Sequence, residues 1–173
     1  MAEIGFGVVT REDEAFRIGI GAARRSGVGA DHVRPLVAGE EVRDWAIPGA
    51  VSAIFPYDPD DLRAEADLGV ERLLWRYRVQ LSDRTAYGKT QIERGLAWWE
   101  YSMFFRDRYR TPLSIVFAEI TTHNHFVLDR GGKVFNRTAP VIKLPAGASE
   151  DEHLALVGVL NSSAACFWMK QVS

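Results

Sequence analysis

The 173 residues are 47% hydrophobic and 25% charged, which suits one globular domain with a real core and excludes a disordered or fibrous chain. The lone Cys166 excludes an intramolecular disulfide and a multi-cysteine zinc cage and fits a reducing, cytoplasmic setting. No apolar run approaches the roughly 18 residues that a membrane span needs, and the start Met-Ala-Glu-Ile-Gly-Phe-Gly has neither the basic nor the apolar part of a signal peptide.

A net charge of −2 hides a strong asymmetry. Residues 1–71 carry 7 Arg against 14 acids, residues 72–110 carry 9 Lys and Arg against 4 acids, and residues 111–173 carry 5 of each. A basic, aromatic-rich middle suits a polyanion, because each Arg that meets a phosphate releases condensed counterions. Arg makes up 17 of the 21 cationic residues. A forked guanidinium suits phosphate and guanine, although a GC-rich genome raises Arg as well.

Taken in chain order, residues 4–9 and 15–20 predict short strands joined by the charged turn Thr10 to Asp13. Gly19 to Gly29 is too glycine-rich to predict a helix, and Asp31 to Gly39 predicts one short helical turn. Val51 to Tyr57 predicts a strand. Pro59 opens a helical stretch to about Asp83, interrupted near Gly69. Its apolar stripe is Val70, Leu73, Leu74, Tyr77 and Leu81, and Arg72, Arg76 and Arg78 fall off it, toward solvent or a ligand. Residues 84–95 predict a loop, followed by Trp98 to Tyr101, Phe104-Phe105 and the basic run Arg106 to Arg110.

Strands are predicted at Leu113–Ile120, His123–Asp129 and Lys133–Leu144, with Arg130-Gly131-Gly132 as a hairpin turn and Pro140 bending the last strand. Ser149 and Glu152 make a capping box for a helix Glu150–Leu160. Asn161-Ser162-Ser163 breaks it, and a second helix runs Ala164–Gln171. The fold class is therefore α+β, a mixed or antiparallel sheet with hairpins and C-terminal helices. Residues 1–173 read as a single domain, and the apolar run near Ser173 reads as a fragment of a longer protein.

Three constellations could carry chemistry. On a strand, His123 and His125 would point the same way and could share a metal with Asp129. The other reading of His123-Asn124-His125 is a polar strand end facing a partner, with donors and acceptors suited to base edges. Second, Trp98, Trp99, Tyr101, Phe104, Phe105 and Tyr109 interleave with Arg94, Arg106, Arg108 and Arg110. These rings either stack on bases beside phosphate-gripping arginines or pack in the core. Third, Gly5-Phe6-Gly7 lacks the further glycine of a dinucleotide loop, and no Gly-Lys-Ser/Thr occurs, so a phosphate-cradling loop is dismissed. Cys166, on an apolar helix, reads as core.

The order of several short motifs resembles the target-recognition domain of adenine-specific DNA methyltransferases, a C-terminal specificity domain. Leu36 to Trp45 resembles its glycine–hydrophobic–arginine–aromatic stretch, and Ile54-Phe55-Pro56-Tyr57 its Pro-Tyr strand. Trp98 to Tyr101 with Ile115–Ile120, Val127 to Gly132, and Leu156–Ser163 are similar to the passages that follow there. Thr122 to Arg137, with Cys166 to Gln171, resembles more specifically the methyltransferase subunit of BREX (phage-growth-limitation) defence systems.

The resemblance implies a module that reads double-stranded DNA. Its catalytic methyltransferase domain, in the same chain and N-terminal to it, would use S-adenosylmethionine, and other phage-defence proteins would be further partners. No Asn-Pro pair and no methyl-donor loop occurs, so the fragment itself is expected to hold no cofactor and to methylate nothing. From charge and placement, Arg76, Arg84, Lys89, Arg94 and Arg108 are the candidate phosphate contacts. Thr122, His123, Asn124, His125 and Arg130 are the candidates for base-edge readout. Two alternatives stand beside this reading: a protein-interaction module docking through the acidic first third (Glu40, Glu41, Asp44), and an independent metal hydrolase using His123 and His125.

Overall fold

The computed structural model describes residues 2–172. In chain order, β1 (Glu3–Gly5) and β2 (Val8–Val9) precede α1 (Asp13–Phe16) and α2 (Ile20–Arg25). β3 (Val33–Val37) and β4 (Val51–Ile54) lead to α3 (Leu68–Leu74) and α4 (Arg78–Asp83), with the 3-10 turn Trp75–Tyr77 between the two helices. Next come β5 (Thr85–Ala86), β6 (Lys89–Thr90) and β7 (Met103–Phe104), then a 3-10 turn Arg106–Tyr109. β8 (Ser114–Phe117), β9 (Phe126–Asp129), β10 (Val134–Phe135) and β11 (Val141–Lys143) precede α5 (Glu150–Leu160) and α6 (Ser163–Val172). The class is α+β, with antiparallel strand pairs and C-terminal helices. No helix among the described residues is long and apolar enough to cross a membrane. The chain divides into two compact units.

One unit comprises Val8–Leu36 and Val51–Phe104. Its pairs are β3 with β4 (Val33 opposite Ile54), β2 with β7 (Val8 opposite Phe104) and β5 with β6 (Ala86 opposite Lys89). An aromatic core holds it together. Phe16 meets Tyr101 edge-on at 5.0 Å between ring centroids, and Tyr57 lies 4.1 Å from Phe104. The two buried hydroxyls are satisfied: Tyr57 Oη accepts the Tyr101 N–H at 3.0 Å, and Tyr101 Oη donates to the Ile54 carbonyl. The helical stripe packs inward as its spacing predicts, with Val70, Leu74 and Leu81 fully buried. Asp67 caps α3, one carboxylate oxygen accepting the Val70 N–H and the other the Gly29 N–H, both at 2.7 Å.

Four local expectations fail in this unit. Residues 15–20 do not form a strand: Asp13 and Glu14 favour the start of α1, and Ala22-Ala23 with Arg24-Arg25 in the last turn carry α2 despite its glycine. Residues 33–37 are extended rather than helical, since Val33, Pro35 and Val37 disfavour a helix. Pro59 does not open a helix, because Asp58 Oδ1 accepts the N–H groups of Asp60 and Asp61 at 2.8 Å and closes a tight turn there. Within residues 84–95, the loop of the sequence reading contains the β5–β6 hairpin.

The other unit comprises Met1–Gly7, Val37–Ala50 and Phe105–Ser173. Its sheet has the order β1-β11-β8-β9, antiparallel throughout. Alternate residues feed two cores, as the two-residue period of a strand requires. Val116, Val127 and Val141 join Val37, Val42 and Phe135 on one side; Ile115, Phe126 and Ile142 join Val157 of α5 on the other. The capping box at α5 forms as predicted: Ser149 Oγ accepts the Glu152 N–H at 3.2 Å, and Glu152 Oε2 accepts the Ser149 N–H at 2.7 Å. Ser162 Oγ accepts the Ala165 N–H at the start of α6.

The strand predicted at His123 begins only at Phe126, and the one predicted over residues 133–144 is split into β10 and β11. Gly131 and Gly132 take the positive φ that the turn needs (104° and 81°). Yet β9 and β10 lie in different sheets, so this turn is a corner between sheets and not a hairpin.

Candidate nucleic-acid interface

The α3–α4 segment presents Arg72, Arg76 and Arg78 to solvent, against Glu71 and Asp83 in the same stretch. None of the three arginines is ion-paired among the described residues. Arg76 and Arg78 lean on rings instead. The Arg78 guanidinium lies 4.7 Å over Trp75, and that of Arg76 4.9 Å over Tyr77. Trp75 is 59% exposed and meets Trp98 edge-on at 6.0 Å. Cations oriented on aromatic faces without carboxylate partners remain available to a phosphate.

The remaining phosphate candidates divide sharply. Lys89 is exposed on β6. Arg84 corrects the sequence reading, being only 5% exposed. Its Nε donates to the Leu81 carbonyl (2.9 Å), Nη1 to Thr10 (2.6 Å), and Nη2 to Trp98 (3.0 Å) and Glu100 (2.6 Å). Burial pushes its pKa down to about 10, which still leaves it cationic at neutral pH. This guanidinium ties together four carbonyls from three stretches of the chain and faces no solvent-borne phosphate. Arg94 is half-buried, with Nη1 enclosed and unpaired.

In the other unit, Arg108 is a second correction. Its Nη1 donates to the Phe6 carbonyl, its guanidinium stacks 4.7 Å from Phe105, and it fills the space beside Gly5 where a Cβ would sit. Tyr109 and the Phe135 carbonyl close on Gly7 in the same way. The Gly5-Phe6-Gly7 stretch therefore receives the chain's own side chains, and offers no cradle to an adenosyl or phosphate group.

The base-readout candidates belong to that unit too. Residues 118–125 border a largely apolar cavity of about 560 Å³ with Phe117, Phe126, Ile142 and Leu160 in its wall. Thr122 and His123 are exposed, linked by a 3.0 Å hydrogen bond between Oγ1 and Nδ1. Asn124 Nδ2 donates to the Leu160 carbonyl at 3.0 Å. His125 Nδ1 donates to Asp44 at 2.9 Å, the carboxylate being able only to accept. Arg130 forks onto one Glu150 oxygen through Nε and Nη2. That pair is exposed, and such pairs are worth about 0–1 kcal/mol, so it yields readily to a ligand.

The metal reading loses its geometry. His123 and His125 precede the strand, His125 is held by Asp44, and buried Asp129 is held by Lys133 and the Gly131 N–H. Among the described residues no three His, Cys, Asp or Glu side chains converge. In the acidic stretch proposed for docking, Glu41 caps its own turn by accepting the Ala38 N–H, and Asp44 holds His125, so only Glu40 is unengaged among the three.

No protein-family model matches the chain. The chain is similar to the adenine-specific methyltransferase PglX of Streptomyces coelicolor. Identity is 43% over 173 aligned residues, which cover 98% of the chain and 14% of PglX. The chain thus spans about a seventh of its curated relative, and the likeness runs through both units.

Sequence reasoning missed three positions here. Trp75 sits off the apolar stripe, a signal that was present. Tyr87 is 83% exposed at the tip of a hairpin whose Tyr-Gly turn was also visible. Asn161 replaces a strand partner for Phe126: Oδ1 accepts its N–H at 2.9 Å and Nδ2 donates to its carbonyl at 2.8 Å. Its place in the Asn-Ser-Ser break showed only a helix end.

Proposed function

We propose that the chain is a duplex-DNA recognition module of an adenine-N6-specific DNA methyltransferase acting in phage defence, and that it works with a catalytic domain of the same polypeptide. The observation that carries the reading is the set of exposed cations without ion-pair partners among the described residues, Arg72, Arg76, Arg78 and Lys89, with Arg78 lying over the exposed Trp75. The similarity to PglX supports the enzyme class. These cations grip phosphates and set register, a sequence-independent task. Thr122 and His123 offer polar edges to bases, with Asn124 and His125 fixing the loop that presents them and Arg130 released from Glu150 on contact. S-adenosylmethionine supplies the methyl group to the parent enzyme. The Gly5-Phe6-Gly7 stretch of this chain does not fit it, since the space at Gly5 and Gly7 is taken by Arg108 and Tyr109.

Binding of a fluorescein-labelled mixed-sequence duplex, measured by anisotropy against salt, tests the reading. Affinity falls with a log–log slope near −0.9 for each phosphate neutralised. A slope near zero, or no binding at any salt concentration, contradicts it.

A further inference from the structure

The β5–β6 hairpin is only two residue pairs long, a ladder that would fray if it stood alone. Both of its roots are locked. On the entering side Arg84 holds the carbonyls of Leu81, Thr10, Trp98 and Glu100. On the leaving side fully buried Gln91 donates through Nε2 to the carbonyls of Ala97 (3.2 Å), Glu100 (3.2 Å) and Tyr101 (3.3 Å). The Glu100 carbonyl thus accepts from both roots. Glu93 adds a third tie, its Oε2 accepting from Thr90 N–H (2.7 Å) and Oγ1 (2.9 Å), which holds its pKa below the ordinary carboxylate value.

At the tip of this rigid finger the chain places Tyr87 at φ 55°, followed by Gly88 at φ 76°. The first of these positions suits Asn, Asp or Gly, and an aromatic residue there is strained. Tyr87 is 83% exposed, and its hydroxyl lies 4.0 Å from Met103 Sδ. Exposed Lys89 follows at once, and residues 84–92 contain no acid. Backbone strain that displays a large ring on a locked base gains nothing for packing, and such strain collects at binding sites.

We propose that Tyr87 is a wedge that enters a groove of duplex DNA and stacks against a base step, with Lys89 on the adjoining phosphate. The absence of acids and the flanking cation favour a nucleic acid over a protein partner. Arg84 and Gln91 are positioning residues for this finger. The inference rests on the DNA-recognition reading above.

The test compares the chain with its Tyr87→Asn and Tyr87→Phe variants on a labelled mixed-sequence duplex, and cross-links the unaltered chain to the same duplex carrying 5-iodouracil. Asn tolerates the positive φ, so Y87N keeps or gains thermal stability. Its affinity drops between about fivefold and a hundredfold, the range that loss of a base–aromatic stack gives, while Y87F binds as the original does. The photo-cross-link maps to Tyr87. If the original chain binds with a clear salt slope while Y87N binds equally well, or the cross-link maps elsewhere, the wedge is overturned and the recognition reading stands. If the original chain shows no salt-dependent binding, the recognition reading itself fails and the wedge with it.

Discussion

The helical segment Leu68–Asp83 and the stretch Arg84–Arg94 that follows it are both rich in cations, yet the structure puts their arginines to opposite uses. In the first, Arg72, Arg76 and Arg78 stand in solvent, the last two over aromatic faces. In the second, Arg84 is enclosed and bonded to four backbone carbonyls, and Arg94 is half-buried. A guanidinium has five N–H donors, enough either to fork a phosphate or to tie distant loops, and it cannot do both at once. Charge counted along a chain therefore overstates the charge that a polyanion can meet.

The contrast can be broken most strongly at Arg84. Arg84→Ala removes a donor from four enclosed carbonyls, of which that of Glu100 keeps a second donor in Gln91, and is expected to cost about 3–5 kcal/mol, measured by thermal or denaturant unfolding. Arg84→Lys recovers only part of this, since an ammonium on one stem cannot reach all four acceptors. Gln91→Ala removes the other root of the hairpin and costs about 1–3 kcal/mol in the same assay.

Lys143 repeats the buried-cation theme in the other unit. Its Nζ donates to the carbonyls of Thr111 and Leu113 at 2.6 Å and to Ser114 Oγ at 2.9 Å, and burial pulls its pKa down from 10.5 to about 8. Below pH 8 the folded chain carries the full cost of a buried charge. Between about 8 and 10.5 the unfolded chain binds the proton more tightly, so stability from this group rises with pH. The unfolding free energy of the original chain minus that of Lys143→Met should therefore increase across that window; a flat or falling difference sinks the assignment. Arg76→Ala, by contrast, should stay within about 0.5 kcal/mol of the original in stability at any pH, as an exposed position does.

The parts legible in the sequence were those with local causes. The Ser149–Glu152 capping box placed α5 to the residue, and the spacing of Val70, Leu74 and Leu81 gave the buried face of α3 and α4. What stayed hidden depended on partners far along the chain. Nothing near Arg84 announces that the carbonyl of Thr10, 74 residues away, accepts its hydrogen bond. His123 and His125 read as strand residues, but the side chain of Asn161 takes both backbone groups of Phe126, where β9 begins.

Several of the motifs behind the family resemblance turn out to be structural posts. Tyr57 and Tyr101 bond to each other in the aromatic core, Glu100 offers its carbonyl to both hairpin roots, and Asn161 pairs with Phe126. They help to hold the fold, and the DNA contacts proposed above rest on exposure and charge instead.

The account turns on whether the exposed cations of α3 and α4 meet phosphate. The most direct measurement is the salt dependence of duplex binding by the Arg72→Gln, Arg76→Gln, Arg78→Gln triple variant beside the original chain. The account predicts weaker binding, a log–log slope shallower by up to about 2.7 and an unchanged melting temperature. Equal slopes for the two proteins at equal stability would contradict it.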